Sequence, residues 1–161
     1  MLAIYFILSG LLVALDQWTK FLTVDHIAIG EETSVIPGVI SFTHLQNTGA
    51  AWSLLEGKML FFAAITVVAV VIIVYCLLRY GKKSVWFSLG LALILAGAIG
   101  NFIDRMRLGY VVDMIKADFI NFPIFNVADM CLVVGVIVVF IFVLKTDDSF
   151  FSGGKIAWKK K

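Results

Sequence analysis

Gly97-Ala98-Ile99-Gly100-Asn101-Phe102-Ile103-Asp104-Arg105, followed by Asp113 and by Phe125-Asn126-Val127-Ala128-Asp129, sets carboxylates and amides between two long apolar runs. Ionisable groups within apolar segments are expensive and usually functional. What flanks them decides the fold. Ser84 to Ile103 carries no charged side chain, Phe125 to Leu144 carries only Asp129, and Met59 to Leu78 carries none. Each run matches the roughly 20 residues that cross a hydrocarbon core of about 30 Å. A fourth candidate runs from Leu2 to about Val24, with Asp16, Gln17 and Lys20 in its second half.

The whole chain agrees. Its 161 residues are 61% hydrophobic and 15% charged, with a mean hydropathy of +1.02. A soluble domain is nearer half apolar. The expected fold is therefore all-α: four transmembrane helices in a single membrane domain, with spans at about 2–24, 59–78, 84–104 and 125–144. Arg79, Lys82 and Lys83 in the short turn, and Lys155, Lys159, Lys160 and Lys161 in the tail, put those ends in the cytoplasm by the positive-inside rule. Segments 25–57 and 105–124 then lie outside, and both termini inside, with 145–161 a basic cytoplasmic tail on anionic lipid. The first fifteen residues lack the preceding basic group and following A-x-A pattern of a cleaved leader, so they are expected to stay as a helix. A net charge of +2 with no clustered basic face argues against a nucleic-acid partner.

Segment 25–57 is polar and β-like, with a turn at Ser34 to Gly38 and alternation from Val39 to Leu45, as a small sheet on the membrane would show. Asn47-Thr48-Gly49-Ala50-Ala51-Trp52 places small residues after an amide, which lets a substrate backbone approach; an ordinary turn anchored by Trp52 is the simpler reading. Cys76 and Cys131 sit in apolar runs and are expected to pack as small hydrophobes, with no disulfide and no metal.

Asp16 and Lys20 are four apart, so an intrahelical ion pair with Lys20 snorkelling outward is one expectation. Ala92, Ala96 and Gly100 form a small-residue stripe for close packing. Asn126 reads as a helix cap with Asp129 in the first turn, which accounts for either alone. Capping does not account for convergence. The expected topology brings Asp16, Asp104, Asp113 and Asp129 to one outer boundary, with Asp16 about 12 Å below the end of its helix at 1.5 Å per residue. Carboxylates that close cannot all ionise, which suits acid–base work on a water. No H-E-x-x-H zinc helix, serine–base pair or phosphate loop competes, and His26 and His44 fall in the outer loop with a surface or core role. Which aspartates act stays open at this level. A small proton- or cation-coupled transporter is the alternative, and a purely structural membrane subunit a second.

Five ordered motifs narrow the choice: Asp16-Gln17-Trp18-Thr19-Lys20, Asn47 to Ala51, Gly100 to Arg105, Gly109-Tyr110-Val111-Val112-Asp113 and Phe125 to Asp129. In these the chain resembles the lipoprotein signal peptidase family, signal peptidase II, aspartyl proteases of bacterial membranes. The resemblance implies four transmembrane helices with a small extracytoplasmic β-rich cradle. It implies Asp113 and Asp129 as the catalytic dyad, oriented by Asn101 and Asn126. Asp16, Lys20, Asn47, Gly49, Ala50, Asp104 and Arg105 would line or brace the site, Asp104 and Arg105 as an ion pair. The implied substrate is a prolipoprotein whose cysteine carries diacylglycerol, cut on the amino side of that cysteine by a monomeric enzyme without metal or other cofactor, in the cell membrane near the outer leaflet. Trp52 and Met114 stand where many relatives have phenylalanine.

Overall fold

The computed structural model describes residues 2–49, 58–146 and 150. Four helices are long and apolar enough to cross a membrane: α1 (Leu2–His26), α2 (Met59–Tyr80), α3 (Val85–Leu108) and α4 (Val127–Lys145). A three-stranded antiparallel sheet, β1 (Glu32–Ile36), β2 (Ile40–Asn47) and β3 (Val111–Ala117), stands in the order β1-β2-β3. The architecture is the expected one, with β3 as an addition.

α3 is the centre. More than half of its apolar stretch is buried (56%), against 17% for α1, 11% for α2 and 22% for α4, whose remaining faces are apolar and exposed. That position demands small side chains. A Cβ on Gly97 would lie 2.3 Å from the Ala128 carbonyl oxygen, and one on Gly90 would lie 2.7 Å from Val139 and 3.0 Å from the Gly135 carbonyl oxygen. Gly135 in turn faces the Gly90 carbonyl, so the α3–α4 seam is backbone against backbone. The expected Ala92–Ala96–Gly100 stripe is buried too; Ala92 accepts from the Ser9 hydroxyl of α1, and Gly100 abuts Asp16. The buried residues of α1 are Tyr5, Ser9, Asp16, Lys20 and Thr23, and from among them Ser9, Asp16 and Lys20 reach α3.

The ends differ from the expected bounds for identifiable reasons. α3 continues past 104 to Leu108, where Gly109, at φ +78°, closes it in the left-handed conformation that glycine tolerates. α4 starts at Val127 because Phe125 pairs with Ile115 as an isolated bridge and Asn126 is extended. β3 escaped the sequence reading because Val111, Val112, Asp113 and Met114 are all buried, so no alternation marks the strand. At the opposite end Phe150 packs fully buried against Tyr80, Phe87 and Phe142, and Lys83 Nζ donates to its carbonyl at 2.6 Å. The expected basic tail 145–161 thus opens with Lys145 at the end of α4 and a docked Phe150, and Lys155, Lys159, Lys160 and Lys161 lie outside the described residues, as do Ala50 and Trp52.

The seam gives a test. Gly97→Ala should destabilise the detergent-solubilised protein by about 1–3 kcal/mol, the usual cost of overpacking. Gly10→Ala, whose new methyl would meet nothing within 4 Å, should leave it unchanged. Thermal unfolding of both variants checks the pair; equal melting temperatures would mean the helices simply move apart.

Candidate active site

A cleft of about 1260 Å³ opens among α2, α3, α4 and β3. Its apolar wall includes Ile65, Ala69, Ile94 and Leu132, and its polar end holds Asn47, Asn101, Arg105, Asp113 and Asp129. Four elements bring these groups together. β2 and β3 pair with Leu45 opposite Asp113 and Asn47 opposite Val111, which sets the Asn47 amide beside the Asp113 carboxylate. Helix α3 ends beneath them, and α4 begins against them.

Each carboxylate oxygen of Asp113 and Asp129 accepts a hydrogen bond. Asp113 receives Nδ2 of Asn47 at 2.8 Å and Nδ2 of Asn126 at 2.7 Å. Asp129 receives Nδ2 of Asn101 at 2.7 Å and the backbone N–H of Asn126 at 3.2 Å. Asn126 links the two. Its Oδ1 accepts the Asp129 N–H at 2.9 Å, completing a reciprocal cap, while its amide nitrogen reaches Asp113 and, at 3.2 Å, Asn101 Oδ1. Asn126 is fully buried and Asp113 is 1% exposed.

Behind the pair lies a second charged cluster. Lys20 Nζ meets Asp16 Oδ2 and Asp104 Oδ2, each at 2.9 Å, and donates to Asn101 Oδ1 at 3.0 Å. The expected snorkelling of Lys20 is overturned: it is 3% exposed, because α3 brings two acceptors of its own to the ammonium. Asp16 Oδ1 accepts from the Ala128 N–H at 2.8 Å, and Asp104 Oδ2 from the Val112 N–H at 3.1 Å. Gly100 makes the approach possible, since a Cβ there would fall 2.6 Å from Asp16 Oδ2.

Asp104 and Arg105 do not form the expected ion pair. Asp104 turns inward to Lys20, whereas Arg105 lines the cleft with its guanidinium 5.1 Å from the Phe62 ring centroid and Nη1 3.4 Å from the Asn101 carbonyl. Adjacent helix positions point about 100° apart, which separates the two. Gln17 is the residue left out of the sequence candidates: its Nε2 donates to Asp104 Oδ1 at 2.8 Å and to the Gly100 carbonyl at 3.2 Å. An amide within an apolar helix was the available signal. Gly49 donates its N–H to Asn47 Oδ1 at 2.9 Å and so fixes which end of that amide faces Asp113. His44, buried, joins β2 to the Ile27 carbonyl at the end of α1. Met114 points away from the cleft into a separate apolar pocket of about 430 Å³ beside Leu22, Thr23 and Phe42.

Burial pushes the Asp113 carboxyl up to about 7; the Asp129 charge adds to this, against hydrogen bonds from Asn47 and Asn126 and the Lys20 charge. Two carboxylates joined through one residue, Asp113 by the Asn126 side-chain NH₂ and Asp129 by the Asn126 backbone N–H, one of them retaining a proton near neutrality, can activate a water and protonate a carbonyl oxygen in the same step.

A family model described as signal peptidase (SPase) II matches residues 8–145. A lipoprotein signal peptidase of Enterococcus faecalis is 64% identical over 144 residues, 89% of each chain. One from Lactiplantibacillus plantarum is 55% identical over 147 residues, 91% of this chain and 97% of that one. A solved bacterial membrane enzyme, determined by the in meso method at 2.3 Å resolution, superposes with a TM-score of 0.85 at 38% identity, covering 89% of this chain and 88% of that one.

The raised Asp113 value has a thermodynamic sign. The unfolded carboxyl releases its proton near pH 4 and the folded one near pH 7, so the folded state binds the extra proton between them. Its contribution to stability is full below about pH 4 and is lost as pH rises through 7. The melting temperature of Asp113→Asn minus that of the parent should therefore grow more positive from pH 4.5 to pH 8; a constant difference would show that Asp113 titrates as it does in the open chain.

Proposed function

The chain belongs to the signal peptidase II family, and on that premise we propose that Asp113 and Asp129 form its catalytic dyad. The family's activity, removal of signal peptides from prolipoproteins, is a membrane-bound proteolysis; the transporter alternative finds no support. The observation that carries the residue assignment is Asn126, whose side-chain NH₂ bonds the Asp113 carboxylate and whose backbone N–H bonds the Asp129 carboxylate. No other pair of carboxylates among the described residues shares both such a bridge and the cleft.

In the proposed reaction one carboxylate of the pair takes a proton from a water, whose oxygen attacks the scissile carbonyl. The protonated partner donates to the carbonyl oxygen, giving a tetrahedral intermediate. On collapse the leaving amine takes the proton that the first carboxylate received from the water, the second carboxylate recovers a proton from a hydroxyl of the intermediate, and no covalent bond to the enzyme forms. Asn47, Asn101 and Asn126 hold the carboxylates as amide donors and do not themselves exchange protons in the reaction. The shared proton belongs to the pair rather than to either residue.

The cleft supports a lipid-modified substrate. Its apolar wall, built from α2, α3 and α4, suits the acyl chains of a diacylglyceryl cysteine, while Arg105 and the asparagines face the peptide. The bond cut would be on the amino side of that cysteine. The basic turn after α2 supports cytoplasmic termini, and that orientation would put the polar end of the cleft and the sheet at the outer leaflet. The enzyme would act as a monomer among membrane lipids.

The decisive experiment is cleavage of a diacylglyceryl-modified prolipoprotein by purified enzyme in detergent with chelator present. Parent enzyme should cut. Asp113→Asn and Asp129→Asn, each shown to be folded, should lose about 10²–10⁴-fold, the usual contribution of a positioned acid or base. Near-parental turnover by either variant would end the dyad assignment.

A further inference from the structure

We propose that Lys20 is a positioning residue for the reaction: by donating to Asn101 Oδ1 it holds that amide with its NH₂ toward Asp129, and so sets which atoms the catalytic pair meets.

The inference rests on the dyad assignment above and on donor arithmetic. An ammonium has three N–H donors and no acceptor. Lys20 has three acceptors around it, Asp16 Oδ2, Asp104 Oδ2 and Asn101 Oδ1, at 2.9, 2.9 and 3.0 Å. The atom of the Asn101 side chain facing Lys20 must therefore be its oxygen, and the other end, at 2.7 Å from Asp129 Oδ1, must be its NH₂. A reversed amide would set oxygen against a carboxylate oxygen, two acceptors that only a proton could bridge. On the oxygen of that amide the remaining donor is the neutral side-chain NH₂ of Asn126 at 3.2 Å. A charged donor is roughly twice as strong as a neutral one. Lys20 therefore dominates, although it touches neither aspartate of the pair.

Asn47 and Asn126 have their polarity set by backbone N–H groups, those of Gly49 and Asp129. Asn101 has no backbone lock on its side-chain oxygen among the contacts described, and a buried lysine takes that place. The charges around this centre are Asp16 on α1, Asp104 and Arg105 on α3, Asp113 on β3 and Asp129 on α4.

The test compares pH–rate profiles for cleavage of the diacylglyceryl-modified prolipoprotein by the parent, Lys20→Met and Lys20→Gln. Methionine removes charge and donor; glutamine removes the charge and keeps a donor. Loss of polarity control should move the acid limb of kcat upward by about one pH unit in Lys20→Met, a loss of about tenfold at a fixed pH on that limb. In Lys20→Gln, which loses the same charge but keeps the donor, the limb should rise clearly less than in Lys20→Met. Equal displacement in both variants would assign the effect to charge alone and overturn the proposal. An unmoved limb with lowered turnover would reduce Lys20 to scaffold and overturn it as well. Lys20→Met strands two buried carboxylates, so the Met and Gln substitutions are also made on Asp104→Asn and their limbs read against that variant alone by the same criteria. Asp113→Asn and Asp129→Asn run in parallel. Activity in either sinks the dyad assignment, whereas their inactivity beside an unmoved Lys20 profile sinks only this inference.

Discussion

A lysine ammonium buried inside a helical bundle is the constraint on which the rest of this structure depends. Lys20 is stabilised there only because α1 and α3 supply three acceptors in hydrogen-bond reach, and removing a partner from such a buried cluster typically costs about 3–5 kcal/mol. The same carboxylates reach further. Asp16 takes a backbone N–H from the first turn of α4, and Asp104 takes one from the start of β3. One charge cluster therefore sets the relative positions of two helices, the head of a third and a strand. An apolar cluster of equal volume could match its stability, but it would not specify register to a single hydrogen bond.

The cleft inherits that register. Asp113 comes from a strand and Asp129 from a helix, elements joined by the turn and loop over 118–126, and their carboxylates meet through Asn126 rather than by direct contact. The glycine seam lets α4 lie against α3 at backbone distance, which brings Asn101 within 2.7 Å of Asp129. Helix packing, strand pairing and the amide network thus point to one geometry, as expected when local and global preferences agree.

Much of this was legible in the order of residues, for physical reasons. Four apolar runs of spanning length are hard to read as anything else, and the alternation of Val39 to Leu45 marks a strand, although the side chains it buries are Ser41, Thr43 and His44 while Val39, Phe42 and Leu45 stay exposed. The convergence of four aspartates followed from topology, and the choice of Asp113 and Asp129 among them from resemblance to a family. Orientation was harder to read. Lys20 looked free to snorkel because its acceptors on α3 are about eighty residues away, and Asp104 looked paired with Arg105 because neighbours in sequence are not neighbours on a helix face. β3 was hidden because burial on both sides erases alternation, and Gln17 because one amide carries no charge to flag it.

The reciprocal cap at the head of α4 makes one residue serve two equilibria. Asp129 Oδ2 receives the Asn126 N–H, and the Asp129 N–H returns to the Asn126 side chain, so the helix begins on the same carboxylate that belongs to the proposed dyad. A proton arriving on that oxygen competes with the backbone donor, and by linkage whatever loosens the first turn alters the affinity for the proton by an equal factor. Proton transfer and helix fraying are therefore two readings of a single free energy. A helix that starts on a titrating group must be anchored elsewhere along its length, and the contact of Gly135 with Gly90, two turns further in, supplies that anchor.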